Sequence, residues 1–303
     1  MSTPYTLVGR TLRTVGTLSP PLAGHLALRA FFVTTPRAPV RDADLDTHHA
    51  ARRTRLDVRG NDLTAYEWGA GRDSVLVVHG WRGRASQLSP VVRELVAEGF
   101  RVVSFDAPAH GDSPGGRADI RDWVAATEAL ERRHGPFRAI VGHSLGALAA
   151  LTAARTSVRT GRVAVVSGVG GPDAFLAEFA REFRLDDATR TQLEARFDAR
   201  LGEDRHSVAA RYDAVAHPLP GDTELLVVHD RGDRRMPDDD ARRLHDAHVP
   251  RSAMVRTSGF GHTSVLSSDV ALDALTAFVR GGLAAVAGLD VAAEPAASSA
   301  TRT

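Results

Sequence analysis

The sequence predicts an α/β protein built on a mostly parallel β-sheet flanked by helices, and three observations carry that prediction. Short, nearly uninterrupted apolar runs such as "SVLVVHG" (74–80) and "RVAVVSG" (162–168) alternate with amphipathic segments of helical length. This is the pattern of strands buried on both faces and joined by right-handed βαβ crossovers. The run Ile140-Val141-Gly142-His143-Ser144-Leu145-Gly146 passes from such a strand straight into the helical pattern "LGALAALTAARTS". Two β-rich runs, "RTRLDVRG" (53–60) and "DLTAYEWGAG" (62–71), flank Gly60-Asn61, a pair suited to a tight antiparallel hairpin. At 303 residues and 43% hydrophobic content, the chain is long enough to bury the core this fold needs.

Residues 1–52 precede the first strand. Leu7, Val8, Leu12, Val15 and Leu18 fall near one helical face, Pro20-Pro21 interrupts the pattern, and 22–33 resumes it. Two short helices are expected, forming an extension packed on the main domain. Arg10, Arg13, His25 and Arg29 break every apolar run short of a membrane-spanning length, and no signal-peptide pattern is present. A cytoplasmic enzyme is expected, in keeping with the absence of cysteine. The polar stretch 38–51, with Pro39, Asp42, Asp44 and Asp46, reads as a linker, and His48-His49 as part of a solvated loop.

After the hairpin, "SQLSPVVRELVAEG" reads as a helix, "RVVSFDAP" as a strand and "IRDWVAATEALERRHG" as a helix, leading into the strand that ends at Ser144. "ELLVVHD" (224–230) is a further buried strand. The span 169–220 departs from the alternation. Phe175, Phe179 and Phe183 recur at helical spacing, Leu193, Phe197 and Leu201 repeat it, and Pro218 and Pro220 close the segment. Two amphipathic helices are expected here. Because they leave the sheet at a strand's carboxyl end, where ligands bind in open α/β sheets, they form a small helical lid whose aromatic stripes mostly pack on each other and on the sheet. "DDDARRLHDAHV" then reads as a helix, "SAMVRTSGFGH" as a strand and loop, and "VLSSDVALDALTAFVRGG" as the closing helix, capped by Ser268 or Asp269. The Ala/Ser/Thr-rich segment 284–303 is expected to be a disordered tail. The predicted division is therefore an extension at 1–52, a core formed by 53–168 with 221–283, a lid at 169–220, and the tail.

Composition narrows the chemistry. A formal net charge of +1 gives no electrostatic reason to expect nucleic acid or an anionic membrane as partner. All 38 basic Lys/Arg positions are arginine, a bias expected of GC-rich coding. Without lysine there is no Schiff base, phosphate-loop lysine or Ser-Lys dyad. Without cysteine there is no thiol nucleophile, disulfide or thiolate metal site. Catalysis must rest on serine, histidine and carboxylates, and no cofactor is expected.

Gly142-His143-Ser144-Leu145-Gly146 has the form of a nucleophile elbow. A strand turning sharply into a helix leaves one hydroxyl clear at the tip, and Gly142 and Gly146 remove the Cβ atoms that would strike the crossing backbone. Ser144 then sits at the helix start, where the Leu145 amide and the helix dipole can meet an oxyanion. The chemistry suggested is acyl transfer. A zinc site built from His79, His110 and His143 is weighed against hydrogen bonding of the surrounding loops, and the second reading is preferred. His245 and His248 are assigned to a solvated helix face, and "DAPAHGDSPG" to a turn braced through Asp106 and Gly111.

Four pieces in a fixed order carry a resemblance: His79-Gly80-Trp81, "DAPAHGDS" (106–113), Gly-His-Ser-Leu-Gly, and "HDRGDRRMP" with "GFGH" near the end. Over about residues 53 to 280 the chain resembles the serine-nucleophile, esterase-like members of the α/β-hydrolase superfamily. The resemblance implies the α/β-hydrolase fold, with Ser144 as nucleophile, His262 as general base and then acid, and an aspartate after "LLVVHD" as the orienting carboxylate. Asp230 and Asp233 are the candidates. Asp233 is preferred, because Asp233-Arg234-Arg235-Met236-Pro237 is similar to the family's Asp-x-x-Val-Pro turn. The amides of Trp81 and Leu145 are the implied oxyanion hole. The expected activity is hydrolysis of small to medium carboxylic esters, on a small-molecule acyl substrate. Acyltransferase, thioesterase, C–C hydrolase or cofactor-free perhydrolase activity, and a non-catalytic ligand-binding homologue, are the alternatives. Epoxide hydrolases and dehalogenases are disfavoured, since they carry aspartate where this chain has Ser144.

Overall fold

The chain opens with two helices, α1 (Thr3–Leu18) and α2 (Pro20–Phe31), followed by the short α3 (Leu45–Ala50). The computed structural model describes residues 3–202 and 204–289. Next come β1 (Arg52–Val58), β2 (Asn61–Trp68), β3 (Ser74–Val78), α4 (Ser89–Ala97), β4 (Arg101–Asp106), α5 (Ile120–His134), β5 (Ala139–His143), α6 (Leu145–Thr156) and β6 (Arg162–Val166). Three helices, α7 (Asp173–Phe183), α8 (Asp187–Leu201) and α9 (Arg205–Tyr212), separate β6 from β7 (Glu224–Asp230). The chain continues through α10 (Asp238–Asp246), β8 (Ser252–Thr257), α11 (Gly261–Ser264), α12 (Asp269–Gly281) and α13 (Leu283–Ala287).

The eight strands form one sheet in the order β1-β2-β4-β3-β5-β6-β7-β8. The pairs β1–β2 and β2–β4 are antiparallel, and every pair from β4–β3 onward is parallel. The hairpin turn is Arg59-Gly60, with Val58 opposite Asn61 and φ of 53° and 75° at the two turn residues. It therefore falls one residue earlier than the expected Gly60-Asn61. Two successive positive φ values match the type I′ geometry that the strand twist favours.

Alternation along the buried strands sorts side chains to the two faces. Leu76 and Val78 pack with Trp123 and Leu130 of α5 and Leu148 of α6, while Val75 and Val77 pack with Leu95 of α4 and Phe278 of α12. Helix α5 begins with a capping box: Asp119 accepts from the Arg121 amide, and the Asp122 side chain accepts from the Asp119 amide. At the start of α12 the cap is Ser268, whose hydroxyl accepts from the Ala271 amide. These two caps fix where α5 and α12 begin, and Asp119 also lines the cavity described below.

Several expectations are corrected. The insertion holds three helices rather than two. The third, α9, buries only Val208 and Tyr212, too few apolar positions to show a clear period. Of the N-terminal extension, α1 and α2 pack on this insertion, whereas the stretch from Val33 to Ala50 packs on the main domain. Ala23, Gly24 and Ala27 form a flat buried stripe on α2 that faces α8, close enough that a Cβ on Gly24 would stand 3.0 Å from the main-chain carbon of Gln192. From α1, Arg13 Nη1 donates to Phe183 O at the end of α7 (3.1 Å). The stretch read as a polar linker contains α3, with Asp44 and His48 buried. His48 lies against the Tyr66 ring, with centroids 5.6 Å apart, and Trp68 Nε1 donates to Thr47 O at 2.6 Å. The segment assigned to the tail begins as α13, with Val286 buried, and residues 290–303 lie outside the described residues. Among the described residues no helix is long and apolar enough to cross a membrane.

Candidate active site

Ser144 stands between β5 and α6 with φ 54° and ψ −121°, a left-handed conformation that a non-glycine residue adopts at a cost of about 1–3 kcal/mol. The surroundings hold it there. Its amide donates to Val166 O on β6 (3.0 Å), and its carbonyl accepts from the Ala147 amide (3.0 Å). Gly142 and Gly146 are required by contact: a Cβ on the first would strike the backbone of Ala147, and one on the second the carbonyls of Val78 and His79. Gly80 comes close to the serine itself, since a Cβ there would lie 2.8 Å from Ser144 Cβ.

His262 and Asp233 meet Ser144 in line. His262 Nε2 lies 3.0 Å from Ser144 Oγ, and His262 Nδ1 lies 2.8 Å from Asp233 Oδ2. The Asp233 side chain is fully buried. Burial alone would raise its pKa, but the hydrogen bond and charge of His262 and the amides of Met236 and Arg235 together hold it below the usual carboxylate range. An ionised carboxylate can only accept, so Nδ1 carries the imidazole proton and Nε2 presents its lone pair to the serine hydroxyl. The other oxygen, Asp233 Oδ1, accepts from Arg235 N (2.8 Å) and Met236 N (3.1 Å), so the turn aims the side chain. Asp230 faces elsewhere. It accepts from Gly232 N, Thr257 Oγ1 and Phe260 N at 2.8–3.0 Å, tying β7 to β8 and to the loop that carries His262.

The remaining histidines hold loops. His79 Nδ1 donates to Gly80 O (2.8 Å) and Nε2 accepts from Ala107 N (3.1 Å), linking the loops after β3 and β4. His110 Nδ1 donates to Pro108 O, and His143 Nε2 donates to the carbonyl of His262 (2.8 Å each). Burial lowers all three pKa values, His79 to about 4 and His110 and His143 to about 3, so each stays neutral. Among the described residues no three His, Cys, Asp or Glu side chains gather as a metal site. His248 is a correction. It is buried rather than on a solvated face, donating from Nδ1 to Leu244 O (2.7 Å) and accepting at Nε2 from Leu219 N (3.0 Å). His245 Nδ1 lies 2.8 Å from Ser252 Oγ. Asp106 does brace its loop, accepting from Ala85 N (2.7 Å), Asp112 N (2.8 Å) and Tyr66 Oη (2.7 Å), while a Cβ on Gly111 would collide with the Asp106 carboxylate.

Ser144 opens into a cavity of about 120 Å³ under the insertion. Trp81 and Leu145 both line it. Leu145 opens α6, where first-turn amides have no acceptor within the helix. The walls are apolar, from Leu148 on α6 and Phe179 and Phe197 on the insertion, with a charged rim that includes Arg235 and Glu178, paired at 2.8 Å. Sequence reasoning missed Phe31 and Phe32, which reach the cavity from the end of α2. The available signal was an aromatic pair at the end of an apolar helix, directly before the polar stretch. A serine, an imidazole with an outward lone pair, a buried carboxylate and an apolar hollow together suit nucleophilic attack on an acyl carbon.

Comparison with known proteins agrees with the fold. The family model described as the alpha/beta hydrolase family matches residues 75–298. The chain is 38% identical over 107 residues to a pimeloyl-[acyl-carrier protein] methyl ester esterase of Methylococcus capsulatus, a match covering 34% of this chain and 39% of that relative. An esterase from Pyrococcus furiosus superposes with a TM-score of 0.60 at 16% identity, over 84% of this chain and 97% of the other. A thermophilic esterase from Thermogutta terrifontis gives a TM-score of 0.57 at 20% identity, over 76% and 98%. At these identities the two structures speak for the fold, and the family match spans most of the chain. The chain belongs to the alpha/beta hydrolase family.

Proposed function

We propose that this protein is a serine esterase that hydrolyses small to medium carboxylic esters through an acyl-enzyme on Ser144. The observation that carries the reading is the in-line set Asp233–His262–Ser144, at 2.8 and 3.0 Å, at the mouth of an apolar cavity. In this reading Ser144 Oγ attacks the ester carbonyl as His262 Nε2 takes its proton, and Asp233 stabilises the imidazolium. The amides of Trp81 and Leu145 receive the oxyanion, each such donor contributing about 3 kcal/mol to lowering the barrier. His262 then protonates the departing alcohol, and a water, deprotonated by the same imidazole, releases the carboxylic acid and restores Ser144.

The size preference follows from the cavity. About 120 Å³ is comparable with the roughly 150 Å³ hollow that holds a benzene ring, which supports short or compact acyl groups over long lipid chains. The esterase names of the Methylococcus, Pyrococcus and Thermogutta proteins support ester hydrolysis as the activity. The Methylococcus match spans about two fifths of that protein, so its own substrate is not transferred. The cysteine-free sequence supports a cytoplasmic setting. Turnover of nitrophenyl esters together with labelling of Ser144 by a fluorophosphonate tests the reading. A folded protein that shows neither overturns it.

A further inference from the structure

We propose that Phe31 and Phe32, contributed by the N-terminal extension, set the length of the acyl group that Ser144 can carry. The inference rests on the esterase reading above and deepens it by assigning the end wall of the acyl pocket.

Phe32 is held on several sides. Its ring stacks parallel on Phe197 of α8 (centroids 6.1 Å apart, planes at 6°) and meets the Trp81 indole edge-on at 6.1 Å. The Arg200 guanidinium lies over it at 4.2 Å. Phe31 meets Phe179 and Phe197 edge-on at 5.4 and 5.8 Å. These rings join three separate parts of the chain around one hollow: the extension, the insertion, and the loop after β3 that carries Trp81.

The wall is anchored at both ends. Upstream, the Ala23-Gly24-Ala27 stripe fixes α2 against α8. Downstream, Arg82 Nε donates to Val33 O (3.1 Å), Arg84 Nη1 to Ala38 O (3.2 Å), and Arg37 to Gly111 O and Gly115 O (3.3 and 3.1 Å). The stretch after Phe32 is thus strapped to the loops that follow β3 and β4. A wall fixed in this way limits chain length by packing, since an extra methylene has no space unless a ring moves.

The hollow belongs to the acyl side of the ester. The alcohol must leave toward His262, which protonates it, and the apolar walls of the hollow, Leu148, Phe179 and Phe197, suit the hydrocarbon of an acyl group. Trp81, whose amide is the proposed oxyanion donor, lines it and touches Phe32. The group bonded to Ser144 in the acyl-enzyme therefore extends toward the Phe31–Phe32 wall.

The test is an acyl-length series of nitrophenyl esters, from acetate to dodecanoate, on wild type, Phe31→Ala, Phe32→Ala and Phe32→Trp, with fluorophosphonate labelling and thermal melts in parallel. An apolar pocket discriminates roughly 10-fold or more per methylene, so Phe32→Ala should raise kcat/KM for octanoate at least about 10-fold relative to acetate. Phe32→Trp should move the preference the other way. If Phe32→Ala does not fold, Phe32→Leu carries the same expectation with a smaller shift. Variants that label normally but give the wild-type length profile overturn the inference and leave the esterase reading standing. So does a shift confined to an alcohol series with the acyl group held as acetyl. Absence of both labelling and turnover in the wild type removes the esterase reading and this inference with it.

Discussion

Asp233 and His262 meet at 2.8 Å through Oδ2 and Nδ1, and the second carboxylate oxygen of Asp233 is fixed by two amides of its own turn. The carboxylate is therefore aimed before substrate arrives. Asp233→Asn should leave the fold and KM near wild type and lower kcat by about 10⁴-fold, because an amide that donates toward Nδ1 selects the wrong imidazole tautomer. Asp230→Asn should behave differently. Its carboxylate joins Gly232, Thr257 and Phe260, so the loss should appear as a lower melting temperature with kcat largely retained. Steady-state kinetics and melts on both variants check this, and the reverse pattern would move the orienting role to Asp230.

The elbow separates chemistry from backbone geometry. Ser144→Ala removes only the hydroxyl, so it should fold normally, bind no fluorophosphonate and show background turnover. Gly146→Ala keeps the hydroxyl but drives a Cβ into the carbonyls of Val78 and His79. Overpacking of that kind costs about 1–3 kcal/mol, read as a lower urea midpoint. Normal stability in Gly146→Ala would contradict the close approach of α6 to the end of β3.

How much of this was legible depended on whether the cause was local. Ser144, Gly142 and Gly146 could be read because the turn's own sterics dictate their identities. Asp233 could be preferred to Asp230 because Asp233-Arg234-Arg235-Met236-Pro237 is similar to the family's Asp-x-x-Val-Pro turn. The placement of α1 and α2 could not be read: a stripe such as Ala23, Gly24 and Ala27 fits any helix of suitable shape, and its partner α8 lies far along the chain. His48 and His248 were assigned to solvent because imidazole is polar. The same two nitrogens let His248 satisfy a carbonyl and an amide in the interior.

Acid should destabilise the protein well above the carboxylate range. In the unfolded chain a histidine titrates near pH 6.5, whereas folding lowers His79 to about 4 and His110 and His143 to about 3, mainly through burial. Between those limits the unfolded state binds more protons, so stability falls as pH drops, by up to about 1.4 kcal/mol per pH unit for each histidine. Asp233 acts in the same sense at lower pH. Its depressed pKa gives stabilisation that is present above the unfolded value near 3.9 and lost as pH falls through the folded one. Urea midpoints from pH 7 to pH 4 measure the slope. His110→Gln, which can still donate to Pro108 O, should reduce the linked proton uptake by about one, and an unchanged slope would count against a buried neutral His110.

Two glycines in the N-terminal helices should respond to alanine with opposite signs. In a helix interior Ala is favoured over Gly by about 1 kcal/mol, so propensity alone predicts that both substitutions stabilise. At Gly9 on α1 the new Cβ would meet Arg13 Nη1 at 3.2 Å, the far end of a flexible side chain that can shift by a few tenths of an ångström. Gly9→Ala should therefore raise the melting temperature slightly. At Gly24 on α2 the neighbours are Gln192 Cβ and the Gln192 main-chain carbon, the latter at 3.0 Å, and the backbone of α8 cannot give way without lifting α2. That overpacking costs about 1–3 kcal/mol and outweighs the propensity gain. Gly24→Ala should lower the melting temperature. Because α2 carries Phe31 and Phe32 into the cavity, it should also lower kcat/KM for short esters, while Gly9→Ala leaves kcat/KM unchanged. A Gly24→Ala protein as stable and as active as wild type would show that the α2–α8 contact is looser than the structure places it.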